Sequence, residues 1–60
     1  MVILKTNRET YDENWAAAYS MTVKEFIELL EQEDENEKII FSNDNGYTYG
    51  VIRENTIGNI

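Results

Sequence analysis

The stretch that decides the fold lies at residues 22–32 and reads TVKEFIELLEQ. Four apolar residues follow the i, i+3, i+4, i+7 spacing of one helical face, namely Val23, Phe26, Ile27 and Leu30. Thr22 and Glu25 stand at the spacing of a capping box, which marks a helix start. The sequence therefore predicts an amphipathic helix over residues 23–32, with Phe26 at the centre of the core.

Strand-forming segments lie on both sides of this helix. Residues 38–42 (KIIFS) and 47–52 (YTYGVI) are rich in β-branched and aromatic side chains, and the turn sequence NDNG at residues 43–46 separates them. Residues 2–6 (VILKT) form a third such run, and a two-stranded sheet alone is marginal. The prediction is one α+β domain over residues 1–60, with a small antiparallel sheet (N-terminal strand plus C-terminal β-hairpin) covered by one main amphipathic helix.

Two segments leave their conformation open. Residues 10–19 favour either a short helix, with Thr10 and Glu13 at capping-box spacing, or an extended loop anchored by Trp15. In both cases Trp15 is expected in the core beneath the main helix. Residues 54–60 are expected to fray or to form an edge strand.

Size and charge restrict the function. The 60-residue chain contains no Cys and no His, so disulfides and zinc cannot stabilise its small core. This favours self-association as the source of additional stability. A net charge of −7 repels nucleic acid and anionic membranes, so neither is expected as a partner. The apolar opening at residues 1–4 is too short for a signal peptide or a membrane span, which predicts a cytoplasmic protein.

Catalytic and metal-binding patterns are weak. Ser20 and Ser42 have no His to activate them as nucleophiles. The turn at residues 43–46 resembles part of a calcium loop, but Phe41 and Ile52 occupy the first and twelfth positions, where carboxylates are required. We therefore expect no enzymatic activity, no cofactor and no metal.

Residues 25–37 contain seven acidic residues and no basic residue. They are Glu25, Glu28, Glu31, Glu33, Asp34, Glu35 and Glu37. The last four lie at the negative end of the helix dipole, where a negative side chain is unfavourable. One interpretation is a solvated face that maintains solubility. The other is a partner-binding surface, whose carboxylates imitate the phosphates of DNA in a basic groove.

Tyr47 and Tyr49 also allow two interpretations. Strand alternation places them on one face of the returning strand, where they form the half-buried side of the sheet. Tyrosine is equally a common interface anchor, because it combines a large contact area with a polar tip. On the second interpretation both belong to the partner-binding surface.

The helix, the acidic turn and the segment IIFSNDNGYTYG at residues 39–50 together resemble small uncharacterised proteins of phages and prophages of Gram-positive bacteria. The resemblance covers the C-terminal two thirds of the chain and brings no catalytic residues with it. It implies a phage setting, in which small acidic proteins often block host enzymes or defence systems.

These observations together predict a small acidic phage-type protein-binding module in the cytoplasm of an infected or lysogenic bacterium. Its partner would be a host protein, with a nucleic-acid-binding protein as the target of DNA mimicry. The alternative is a self-associating structural or accessory protein with no enzymatic target, in which a homodimer forms through unpaired strand edges.

Overall fold

The computed structural model describes residues 1–58, which form an α+β fold. Three strands are present: β1 (Val2–Thr6), β2 (Ile39–Asn43) and β3 (Thr48–Val51). Two helices, α1 (Glu13–Tyr19) and α2 (Val23–Leu30), lie between β1 and β2 in the chain. Short 3-10 turns follow at Asp44–Gly46 and Glu54–Thr56. The predicted α+β class is confirmed.

Helix α2 begins where the sequence predicts. The backbone N–H of Glu25 donates to the Thr22 hydroxyl at 3.2 Å, and the Glu25 carboxylate accepts from the backbone N–H of Thr22 at 3.0 Å. The α-helix ends at Leu30, two residues before the predicted end, because the N–H groups of Gln32 and Glu33 bond three residues back, to Leu29 and Leu30, and tighten the chain into turns.

The sheet is mixed, so the prediction of a purely antiparallel sheet is wrong. Its strand order is β1-β2-β3, with β1 parallel to β2 and β2 antiparallel to β3. Residues 7–38 connect β1 to β2 and contain both helices, and a connection of that length carries the chain back to the starting edge of the sheet. The hairpin of β2 and β3 agrees with the prediction.

The hairpin turn uses left-handed backbone at three successive residues. Asp44, Asn45 and Gly46 have φ angles of 50°, 58° and 90°. Such angles suit Asp, Asn and Gly, the residue types that tolerate this region. Tyr47 completes the turn, and β3 therefore begins at Thr48 and not at Tyr47.

The apolar side chains of this fold are incompletely buried. Among residues 1–58 no hydrophobic residue is buried, and Ser42 alone has less than a tenth of its surface exposed. Phe26 is 38% exposed and Val23 79% exposed, so α2 does not enclose its apolar face against the sheet as predicted. Cover of the sheet by α2 is not confirmed.

Residues 10–19 adopt the short helix of the two open alternatives, preceded by three irregular residues. Residues 10–12 are irregular, and α1 starts after Asp12, whose carboxylate accepts from the backbone N–H of Asn14 at 3.0 Å. The Thr10 hydroxyl instead accepts from the N–H of Asp12 at 2.9 Å. Trp15 is 40% exposed and stacks on Tyr19 at 4.6 Å between ring centroids, so its predicted place in the core is wrong.

The end of the described chain is a 3-10 turn at Glu54–Thr56, in which the Thr56 hydroxyl accepts from the backbone N–H of Arg53. This replaces the predicted fraying or edge strand for those residues, and residues 59–60 lie outside the described part. None of the helices formed by residues 1–58 has the length and apolar character that crossing a membrane requires.

Candidate functional site

The end of α2, the turn after it and the starts of β1 and β2 surround a shallow cavity of about 460 Å³. Its floor is apolar and consists of Val2, Ile27, Leu30 and Ile39. Its rim is acidic and consists of Glu31, Glu33, Asp34, Glu35 and Glu37. We call this cavity the acidic groove.

The parallel pairing of β1 and β2 creates the groove. Val2 stands opposite Ile39 in the sheet register, so the first residues of both strands lie side by side. Ile27 and Leu30 are three positions apart on α2 and therefore share one helical face. An antiparallel β1 would have placed the other end of that strand beside Ile39.

Two of the rim acids already have partners within the protein. The Asp34 carboxylate accepts from the backbone N–H of Asn36 at 2.8 Å, which shapes the turn. The Glu37 carboxylate pairs with the N-terminal amine of Met1 at 2.7 Å. The side chains of Glu31, Glu33 and Glu35 are exposed and form no hydrogen bond or ion pair within residues 1–58.

Two acids of the predicted surface lie outside the groove. Glu25 caps α2, and its pKa is lowered by the hydrogen bond from the backbone of Thr22 and then by that from the Thr22 hydroxyl. Glu28 lies on α2 but is not among the residues that line the groove. The predicted row of seven acids thus separates into a helix cap, one further helical residue and a five-residue rim.

The two predicted tyrosines lie elsewhere. Tyr47 is 85% exposed at the hairpin turn, and Tyr49 is 64% exposed on β3. Tyr49 stands opposite Ser42, near the end of β2, and shares a cavity of about 390 Å³ with Ile3 and Lys5. The structure therefore does not combine the tyrosines with the acids in one site.

A further depression, beside α1, was not predicted from the sequence. Residues 7–11 and α1 line an open groove of about 740 Å³ that exposes the rings of Tyr11, Trp15 and Tyr19 beside Arg8. The sequence signal for it is the spacing of Tyr11, Trp15 and Tyr19, which lie four residues apart. In the structure all three rings are exposed.

The acidic groove suits cationic side chains. Lys and Arg carry aliphatic stems that contact apolar surface while their charged heads remain in water or with carboxylates. The apolar floor fits such a stem, and the rim fits the head. No three acidic residues within residues 1–58 converge closely enough to hold a metal ion, so the rim is spread out along the cavity.

Comparison with known proteins gives no relative. No protein-family model, no curated protein and no solved structure matches the chain.

Proposed function

We propose that this chain is a small protein-binding module that inhibits a host protein by occupying a basic surface of that protein through the acidic groove. One observation carries the proposal: five carboxylates surround a floor of four apolar side chains at the junction of α2 with the sheet. A purely solvating charge run has no need of an apolar floor. The combination is what a Lys- or Arg-rich surface requires.

Charge supports a nucleic-acid-binding partner. The protein carries a net charge of −7, which steers it toward basic surfaces and away from nucleic acid itself. Proteins that bind DNA or RNA present clustered Lys and Arg to phosphates, and binding there releases counterions whatever the source of the negative charge. Carboxylates along the rim would occupy that surface in place of phosphates.

The phage resemblance supports inhibition as the outcome. Phages benefit from small proteins that block host enzymes or defence systems, and the cytoplasm of an infected or lysogenic bacterium contains many nucleic-acid-binding targets. On this proposal the chain catalyses nothing, because blocking the partner's surface is sufficient.

The test uses three versions of the chain as bait in a lysate of a Gram-positive bacterium. The first is the parent. The second neutralises four rim acids, as Glu31→Gln, Glu33→Gln, Asp34→Asn and Glu35→Gln. The third neutralises four acids that do not line the groove, as Glu9→Gln, Glu13→Gln, Asp44→Asn and Glu54→Gln. The second and third have equal net charge, so they separate position from total charge.

We expect one or more proteins bound by the parent and by the third bait but lost from the second. That binding should fall steeply between low and moderate salt, and duplex DNA should compete for it. Circular dichroism confirms that all three baits are folded. Equal capture by all three baits would refute the groove as the binding surface.

A further inference from the structure

The sheet has a second apolar surface on the side opposite the acidic groove. Ile3 stands opposite Ile40, and Ile40 stands opposite Val51, so three β-branched side chains form one row across all three strands. Val2 and Ile39 line the groove, and alternation along the strands places Ile3 and Ile40 on the other face. Ile3 is 47% exposed and Val51 58% exposed.

The next row on this face has a different character. Lys5, Ser42 and Tyr49 stand opposite one another across the three strands. Ile3, Lys5, Ser42 and Tyr49 also line one cavity, which confirms that the two rows share a face. We call these six residues the open face, and it contains no acidic residue: Ile3, Lys5, Ile40, Ser42, Tyr49 and Val51.

The chain exposes more surface than a compact monomer of its mass. Its accessible surface is 6061 Å² for a mass of 7.0 kDa, whereas a folded monomer of this mass exposes about 4,000 Å². Its radius of gyration of 12.8 Å exceeds the value of about 10 Å expected for 60 residues. The excess of about 2,000 Å² is spread over the whole chain, both helices included, and the exposed parts of Ile3, Tyr49 and Val51 on the open face contribute to it.

We propose that the open face binds a second copy of this chain, sheet against sheet, about a two-fold axis that runs along β2 between the two sheets. Such an axis reverses the strand order of one copy over the other. Ile40 then meets the partner's Ile40, and Ile3 meets the partner's Val51. The same operation places the Lys5 ammonium over the ring of the partner's Tyr49, where a cation is attracted to an aromatic face. The open face is therefore complementary to itself.

Charge allows this arrangement although the chain is strongly acidic. The groove acids lie on the other side of the sheet, so the two acidic grooves face outward on opposite sides of the dimer. The dimer leaves both grooves free and does not rest on the function proposed for them. Salt should tighten it, because screening weakens the repulsion between two bodies of charge −7.

The first experiment measures mass by sedimentation equilibrium for the parent, Val51→Lys and Val23→Lys. Val23 is also a valine but is 79% exposed on α2, away from both the open face and the groove, and its substitution changes the net charge equally. We expect a dimer for the parent and for Val23→Lys, and association weakened at least about tenfold for Val51→Lys, since a lysine would be buried without a partner.

The milder Val51→Thr, which keeps the β-branched shape, covers the case in which Val51→Lys fails to fold, and it should weaken the dimer in the same direction. A parent that stays monomeric at the highest protein and salt concentrations overturns the proposal. Equal weakening by Val23→Lys and Val51→Lys overturns it as well.

The second experiment tests the orientation. Ile3→Asp and Val51→Lys should each be monomeric alone, because each places a charge opposite an apolar side chain. Mixed in equal amounts they should form a dimer, in which the aspartate of one copy faces the lysine of the other while the remaining Val51 and Ile3 meet as in the parent. Ile3→Asp and Val51→Lys that each dimerise alone, or a mixture that stays monomeric, would overturn this arrangement.

Discussion

Replacement of Gly46 by alanine should destabilise the protein, whereas the same change at the other two glycines should not. Gly46 closes the hairpin turn with φ of 90°, a conformation that L-residues avoid. A Cβ at this position would lie 3.4 Å from the Tyr49 hydroxyl oxygen, which is ordinary contact, so the cost comes from the backbone and not from a clash. We expect Gly46→Ala to lower the free energy of unfolding by about 1–2 kcal/mol.

Gly50 and Gly58 are the matched controls. A Cβ on Gly50 would lie 3.5 Å from Phe41, and one on Gly58 would meet nothing within 4 Å, and neither glycine has a positive φ. Alanine at these positions leaves the folded state unstrained and restricts the unfolded chain, which favours folding by a few tenths to about 1 kcal/mol.

Urea unfolding followed by circular dichroism measures this difference. With a slope of about 1 kcal/mol per molar for so small a chain, the midpoint for Gly46→Ala should lie about 1 M or more below that of the parent. All variants are compared at one protein concentration, so that self-association does not alter the ranking. Midpoints of Gly46→Ala and Gly58→Ala that coincide would refute a left-handed residue at the turn.

Further predictions concern α2. Thr22→Ala removes the acceptor for the backbone N–H of Glu25 and should cost about 1 kcal/mol in urea unfolding. The pKa of Glu25 is lowered from 4.5 first by the bond from the backbone N–H of Thr22 and then by that from its hydroxyl, so its stabilising effect is present above pH 4.5 and is lost as the pH falls through the lower folded value. Thr22→Ala removes only the hydroxyl's share of that acid dependence, whereas Glu25→Gln should remove the whole of it, and an acid profile unchanged by Glu25→Gln would contradict the cap. Phe26→Ala should cost about 2 kcal/mol, less than the 3–5 kcal/mol of a fully buried phenylalanine, because Phe26 stays 38% exposed. Complete loss of cooperative unfolding in Phe26→Ala would show that its ring packs more deeply.

Local signals in the sequence predict the individual elements well. The start of α2 depends on bonds between Thr22 and Glu25, three residues apart, and the hairpin turn depends on the tolerance of residues 44–46 for left-handed backbone. Both are decided by neighbours along the chain, so their residue types are sufficient to predict them. The acidic turn after α2 is also predicted from its own residues.

The pairing of strands and the membership of the groove depend on distant residues. The Thr6 hydroxyl donates to the Asn43 side chain at 2.6 Å across a separation of 37 residues, and the parallel register of β1 against β2 accompanies that contact. Such a contact depends on the path of the whole intervening segment, which no local pattern specifies. Only this tertiary path decides that Val2 and Ile39 form a floor beside the acids, and that Tyr49 faces the other side of the sheet. The sequence by itself determined the main helix, the strands, the turn and the charge. The tertiary structure decided which of them meet, because the direction of a strand and the face on which its side chains lie depend on pairing between residues far apart in the chain.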